Sequence, residues 1–166
     1  MLGPEEVAFL KKVSVFAALR DEVLASFGHV AQRCEVAAGE VVFAEGEPAK
    51  EMIVVLSGRL EVVKRSRSGA EARIAVLGPG DVVGEMSLVD IQPRSAAVRA
   101  TEPAVVASFR HADIANVYRE DPQSYTLLVL NIAREISIRL RRMDAMLANI
   151  LAEIDEVTGQ HRPRAG

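Results

Sequence analysis

Apolar residues follow a helical spacing at the start of the chain, then a two-residue alternation, then a helical spacing again. Val7, Leu10 and Val13 share one face of a helix that opens near Pro4, a residue accepted in a first turn, and runs to about Lys12. Val23, Leu24 and Phe27 do the same for a second helix from about Asp21, with Gly28 as its stop. From Arg33 to Phe109 short β-branched runs are punctuated by glycine, at 34–36, 41–43, 52–56, 60–63, 73–77, 96–100 and 105–109. Seven or eight short strands at this spacing predict a small closed roll or sandwich. Gly39, Gly46 and Gly58 fall where turns are required, and Ser57-Gly58 suits a tight hairpin.

After Arg110 the period is helical. A short helix is predicted over 111–120, with His111 as a helix-start residue, and Asp121-Pro122 opens a long one to about Ile154. Ile132, Ile136, Leu140, Met143, Leu147, Ile150 and Ile154 recur at steps of four and three, a heptad-like stripe. A helix of that length reaches ~45 Å or more, beyond a small roll. Its distal half therefore calls for a partner, and a second copy of the chain is the simplest; folding back on its own roll is the alternative. The predicted class is α+β, mainly β: an eight-stranded, jelly-roll-like β-roll (a double-stranded β-helix) between N-terminal helices and a long C-terminal helix. The segments are 1–32 (helices packing on the roll), 33–110 (the roll), 111–156 (a hinge helix and the long helix) and 157–166 (a flexible tail).

Composition narrows the chemistry. With 166 residues and 49% hydrophobic content the chain can bury one substantial core. A net charge of −3 gives no global attraction to nucleic acid, so an anion site has to be local. The charged run Lys64-Arg65-Ser66-Arg67-Ser68-Gly69-Ala70-Glu71 reads as a solvated hairpin tip, because no aromatic residue accompanies it to stack on bases. Cys34 is the single cysteine, which rules out an internal disulfide and suits a reducing, cytoplasmic compartment. The N-terminus lacks the basic and apolar regions of a signal peptide, and no run approaches the ~20 apolar residues that span a bilayer. Clustered histidines, a GxSxG elbow, a P-loop and paired Cys ligands are all missing, so neither catalysis nor a bound metal or cofactor is expected.

The most specific stretch is Gly84-Glu85-Met86-Ser87-Leu88-Val89-Asp90-Ile91-Gln92-Pro93-Arg94-Ser95-Ala96-Ala97-Val98-Arg99. Gly84 permits a sharp turn at a strand end, after which Glu85, Met86 and Ser87 present the free N–H groups of a helix's first turn, a favourable place for phosphate. Pro93 stops that helix and biases Gln92 to extended backbone, fixing the direction in which Arg94 and Ser95 enter the next strand. Arg94 brings a planar, two-pronged donor for phosphate oxygens. Glu85 would repel a phosphate unless it met a donor elsewhere on the ligand, such as a ribose hydroxyl. The plainer alternative makes Glu85 and Arg94 an internal ion pair, with Gly84 and Pro93 as turn punctuation.

The ordered set G-E-x-[SA]-L, five residues, then P-R-S-A, preceded by Gly78-Pro79-Gly80-Asp81, resembles the phosphate-binding cassette (84–97) of cyclic nucleotide-binding domains. Val54-Val55-Leu56-Ser57-Gly58-Arg59-Leu60-Glu61-Val62 resembles that family's central hairpin, and Lys11 to Phe16 its lead-in. The resemblance implies that Glu85 accepts from the ribose 2′-hydroxyl and Arg94 pairs with the cyclic phosphate. The backbones of Gly84, Met86, Ser87 and Ala96 complete the cradle, and Ser95 adds a hydroxyl. It also implies a C-terminal helix that moves on binding, with Leu88 packed against Val117 and Tyr118 at the hinge. Among Arg134, Glu135, Ser137, Arg139 and Arg142 on the long helix, Arg139 is the candidate for the purine; its alternative is an i, i+4 partnership with Glu135. Ile91 departs from the family, which usually has a glycine there able to take positive φ.

The expected function is a cyclic nucleotide-binding sensor, with cAMP favoured over cGMP on the slight evidence of Ser95. Its expected partners are the nucleotide, a second copy of the chain through the long helix, and an effector protein, with no nucleic acid and no membrane. Only 155–166 follows Ile154, too short for a helix-turn-helix. The alternative is a dimerisation or interaction module with a lapsed pocket. Whether the chain stands alone or is cut from a larger protein stays open at this point.

Overall fold

The computed structural model describes residues 1–90 and 92–158, apart from the side chain of Tyr118. The Ile91 departure, the hinge role of Tyr118 and the tail from 159 onward therefore lie outside the described residues. Contacts divide the chain into two units, Met1–Ile132 and a second that begins at Ala133.

Among the described residues, the first unit holds all eight strands. β1 (Gln32–Val36), β8 (Ala104–Arg110), β3 (Glu51–Ser57) and β6 (Val82–Val83) form one sheet in that order. β2 (Val41–Phe43), β7 (Ala97–Ala100), β4 (Leu60–Arg65) and β5 (Glu71–Leu77) form the other. Every pairing is antiparallel, and the register shifts at Val41/Phe43, Val55/Ser57 and Val62/Val63. Such bulges bend and twist strands, as a rolled sheet requires. Alternate residues of both sheets, including Val36, Ile53, Val55, Phe43, Leu60 and Val98, meet in one buried core.

β3 does not alternate in burial: Met52, Ile53, Val54 and Val55 are all buried. While Ile53 and Val55 fill the roll, Met52 lies opposite Phe109 of β8 on the other face. Phe109 meets Phe16 at 5.4 Å and Phe27 at 5.9 Å, and those two rings are 5.2 Å apart. The triad joins the outer face of this sheet to a 3-10 turn at Ser14–Phe16 and to α2 (Asp21–Val30). Tilted and edge-on pairs of this kind stabilise beyond the area they bury.

α1 (Pro4–Leu10) starts at Pro4 as its sequence predicts. α2 runs past Gly28 to Val30, so Gly28 is not the expected stop. Its role is close approach, since a Cβ at Gly28 would lie 2.3 Å from Val7 Cγ2 of α1. α3 spans His111–Glu120 and α4 spans Pro122–Thr158, 37 residues, ~55 Å at the usual rise. Asp121 caps α4: it accepts from the Ser124 hydroxyl at 2.6 Å and the Ser124 N–H at 3.2 Å, and pairs with Arg20 at 2.5 Å. These contacts, the Ser124 hydroxyl foremost, pull its carboxyl down to about 2. Early α4 is anchored at buried Asn131, whose amide donates to the carbonyls of Val15 (3.2 Å) and Ala17 (2.8 Å).

The second unit is the rest of α4. Leu140, Met143, Leu147, Ile150 and Ile154 of the heptad-like stripe are exposed on it, from 42% at Ile150 to 63% at Met143. Earlier members differ, with Ile132 buried and Ile136 half-buried. Among the described residues no helix is long and apolar enough to cross a membrane, and no group of three or more His, Cys, Asp or Glu could hold a metal ion.

Candidate functional site

β6 has only two residues and delivers the chain directly into Gly84, whose φ of +86° carries it into a 3-10 turn at Glu85–Leu88. That conformation favours glycine, and space demands it as well. A Cβ at Gly84 would lie 2.5 Å from Arg94 Nη1 and 2.9 Å from the Glu51 carbonyl oxygen. The turn and Arg94 are therefore brought together. The first N–H groups of any such turn have no acceptor within it. The Ser87 hydroxyl donates to the Gly84 carbonyl at 2.6 Å and tightens the turn.

Arg94 is fixed from several sides. Its N–H donates to the Glu47 carbonyl at 2.9 Å, and its own carbonyl accepts from the Gly46 N–H at 2.8 Å. The guanidinium carbon sits 3.5 Å from the centroid of the Phe43 ring, a cation–π stack. The side chain is 6% exposed, and Nε is 3.9 Å from Glu47 Oε1. Even so, Nε and Nη1 are buried without a hydrogen-bond partner. Burial is the main influence on this group and depresses its pKa, opposed by the charges of Glu47, Glu51 and Glu85. A guanidinium stays protonated under such conditions, so buried donors on a permanent cation await an acceptor. Buried polar groups left unbonded are uncommon and costly, and an anionic oxygen would satisfy them.

The other predicted site residues take distinct places. Glu85 is 1% exposed at the start of the turn. Met86 is exposed, Ser87 half-buried, Ser95 exposed and Ala96 buried. Arg139 lies half-buried in the second unit. Of the hinge residues, Leu88 is half-buried and Val117 buried. The hairpin tip is tied more closely to this region than its charge suggests. Lys64 donates to the Ser95 carbonyl and pairs with Glu45 at 3.2 Å, and Glu45 also accepts from the Arg65 N–H at 3.1 Å.

Sequence reasoning missed Phe43, Glu47 and Glu51 around Arg94, and His111, whose Nε2 lies 3.0 Å from Ser87 Oγ. None has a local signature, since Phe43 reads as one more strand residue and His111 as a helix start. Two surface concavities accompany these residues, the second of them beside Ser95 and Ala96 through Ala97 and Glu45. One of about 250 Å³ is lined by His29 and Val30 of α2 and Asp113, Asn116 and Glu120 of α3. The other, about 530 Å³, is lined by Val41, Val63, Ala97 and Arg99 of the second sheet.

The structure is thus a double-sheeted roll that holds a buried guanidinium against a short turn. The family model described as the cyclic nucleotide-binding domain matches residues 33–121, more than half of the chain, and the chain belongs to that family. It is 30% identical over 143 residues to the CRP-like cAMP-activated global transcriptional regulator of Mycobacterium tuberculosis, covering 86% of this chain and 62% of that one. It is similar to the crystal structure of the N-terminal domain of a transcriptional regulator from Streptomyces coelicolor, with TM-score 0.70 and 31% identity over 82% of this chain and 95% of that one. It is also similar to the Thermus thermophilus catabolite activator protein, with TM-score 0.71 and 30% identity over 82% of this chain and 62% of that one. The chain thus spans about three fifths of the length of the M. tuberculosis regulator.

Proposed function

We propose that the chain is a cyclic nucleotide sensor of the cytoplasm that binds cAMP in preference to cGMP. The observation that carries this reading is Arg94, a permanent cation buried against Gly84 with two nitrogens unbonded. A cyclic phosphate supplies the missing acceptors with one negative charge, and charge-assisted bonds of this kind are among the stronger ones. Glu85, buried at the head of the turn, takes the ribose 2′-hydroxyl. The backbones of Gly84, Met86, Ser87 and Ala96 and the Ser95 hydroxyl complete the set. The preference for cAMP draws on the name of the M. tuberculosis relative, a cAMP-activated regulator. A cytoplasmic site agrees with Cys34 being a free thiol.

By family resemblance, binding is read out through the C-terminal helices, and Arg139 serves the purine. Ligand can bias such a switch only by its difference in affinity for the two states. Calorimetric titration with cAMP and with 2′-deoxy-cAMP tests the residue roles. Wild type is expected to prefer cAMP by about tenfold or more, the value of one hydrogen bond to a carboxylate. Glu85→Ala is expected to bind the two equally, and Arg139→Ala to weaken both several-fold. A Glu85→Ala variant that still discriminates, or an Arg139→Ala variant with unchanged affinity and base preference, removes the corresponding role.

The exposed heptad stripe supports a homodimer through the long helix, since apolar residues at steps of four and three match a second copy of themselves. Light scattering over a concentration series should give twice the chain mass, with Leu147→Glu reducing it to one. A monomeric mass throughout excludes the dimer.

A further inference from the structure

His111, like Glu47 and Glu51, is a titratable group against the cradle to which the proposed binding scheme gives no task. It is the first residue of α3, and its backbone N–H donates to the Lys50 carbonyl at 2.9 Å. Its Nε2 lies 3.0 Å from Ser87 Oγ, and that hydroxyl already gives its single proton to the Gly84 carbonyl at 2.6 Å. The proton between His111 and Ser87 therefore belongs to the ring, and Nε2 is the donor. Both the Nε2–H tautomer and the imidazolium can make this bond, so protonation leaves the contact intact and changes only the charge.

That charge sits in a crowded field. Glu51 opens β3 beside it, Glu85 and Ser87 belong to the turn, and Arg94 lies across Gly84 from the turn. On the strand-to-helix junction of His111 itself, Arg110 and Asp113 pair at 2.9 Å. Burial and then Arg94 hold the ring below the usual histidine range, with Glu51 opposing them. An anion on Arg94 cancels the second of these influences.

We infer that His111 is a positioning residue that clamps the Gly84–Leu88 turn to the start of α3 and makes binding in the cradle proton-linked. This rests on the reading of the cradle as a cyclic phosphate site. When the phosphate neutralises Arg94, the ring's proton affinity rises and it takes up a proton from solvent. The direction follows from linkage: between the lower pKa of the free protein and the higher one of the complex, the complex holds more protons, so affinity rises as pH falls. Because burial and Arg94 hold the free ring below the ordinary histidine range, the gain appears in mildly acidic solution and is lost as pH rises above the value of the complex. The Nε2 donor also joins the turn to α3 by a side-chain bond that occupancy of the cradle can tune.

The test is calorimetric titration with cAMP at pH 6 and pH 8, in buffer pairs of different ionisation enthalpy. For wild type, binding up to several-fold tighter at pH 6 than at pH 8 and a fractional proton uptake are expected, the direction that an anion-raised proton affinity of the ring requires. His111→Ala should weaken binding several-fold at both pH values. His111→Gln restores an N–H donor to Ser87 and should recover most of the affinity at pH 8, with neither the pH dependence nor the proton uptake. Wild-type binding without proton uptake overturns the inference, as does a His111→Gln variant that retains the full wild-type uptake. Absence of binding at both pH values, with cAMP and again with cGMP, overturns the cradle reading itself, and this inference with it.

Discussion

Replacing Arg94 with alanine is expected to weaken cAMP binding by on the order of 100-fold or more, about 3 kcal/mol, the scale on which truncating one partner of a buried charge pair is felt. The size follows from the surroundings of the guanidinium. It is screened from water, stacked on Phe43 and fixed through its backbone by Gly46 and Glu47, so it needs no reordering to receive a phosphate. Arg94→Lys keeps the charge but loses the planar fork and the stack, and should still cost at least about tenfold. The two variants separate recognition by geometry from recognition by charge. A lysine variant that binds like wild type would mean that the cradle senses only charge, and an alanine variant that does so would remove Arg94 from the site. Measuring urea stability alongside keeps a loss of binding from being mistaken for a loss of fold.

The second large effect is structural. Phe109→Ala should lower the unfolding free energy by about 3–5 kcal/mol, a sizeable part of the 5–15 kcal/mol typical of a domain. Phe109 is fully buried, and its ring touches both Phe16 and Phe27, so truncation opens a cavity between the roll and its N-terminal cover. Phe109→Leu should recover a large share of that loss, because most of the volume returns. Urea titration reads both variants, and the midpoint should fall for Phe109→Ala with little change in slope. A loss under about 1 kcal/mol would mean the site collapses around the missing ring. Phe109 is also the penultimate residue of β8, two residues before His111, so this packing sets where α3 begins relative to the cradle.

How much of this was legible in the sequence depends on the range of each interaction. The run 60–63 and the heptad stripe announce themselves because period two and period three-to-four are local patterns. Val82–Val83, β6, is two residues long and carries no period at all. Gly28 reads as a helix stop from its chemistry alone; its actual role, clearance for Val7, depends on a second helix. The cradle was legible because Gly84, Glu85, Pro93 and Arg94 lie within one short segment whose order is distinctive. Phe43 beneath Arg94 and His111 against Ser87 were not, since each contact joins distant parts of the chain through the roll's strand order. The sheet order, with β8 between β1 and β3, carries His111 back to the turn.

The division of labour in the first unit is physically coherent. Apolar burial on both faces of the β3–β8 sheet gives a rigid floor, and on its rim the chain holds a cation whose donors are incompletely met. A solvated arginine would have to shed water before gripping a phosphate, whereas a buried one has already met that cost in folding. Proteins commonly retain such locally unfavourable groups where a ligand is to relieve them.

Titration calorimetry of the unmodified protein with cAMP tests the central claim most directly. Saturable binding at one site per chain, with Kd in the micromolar range or tighter, is the predicted result. A flat titration with cAMP and again with cGMP, on protein shown to be folded, would contradict it.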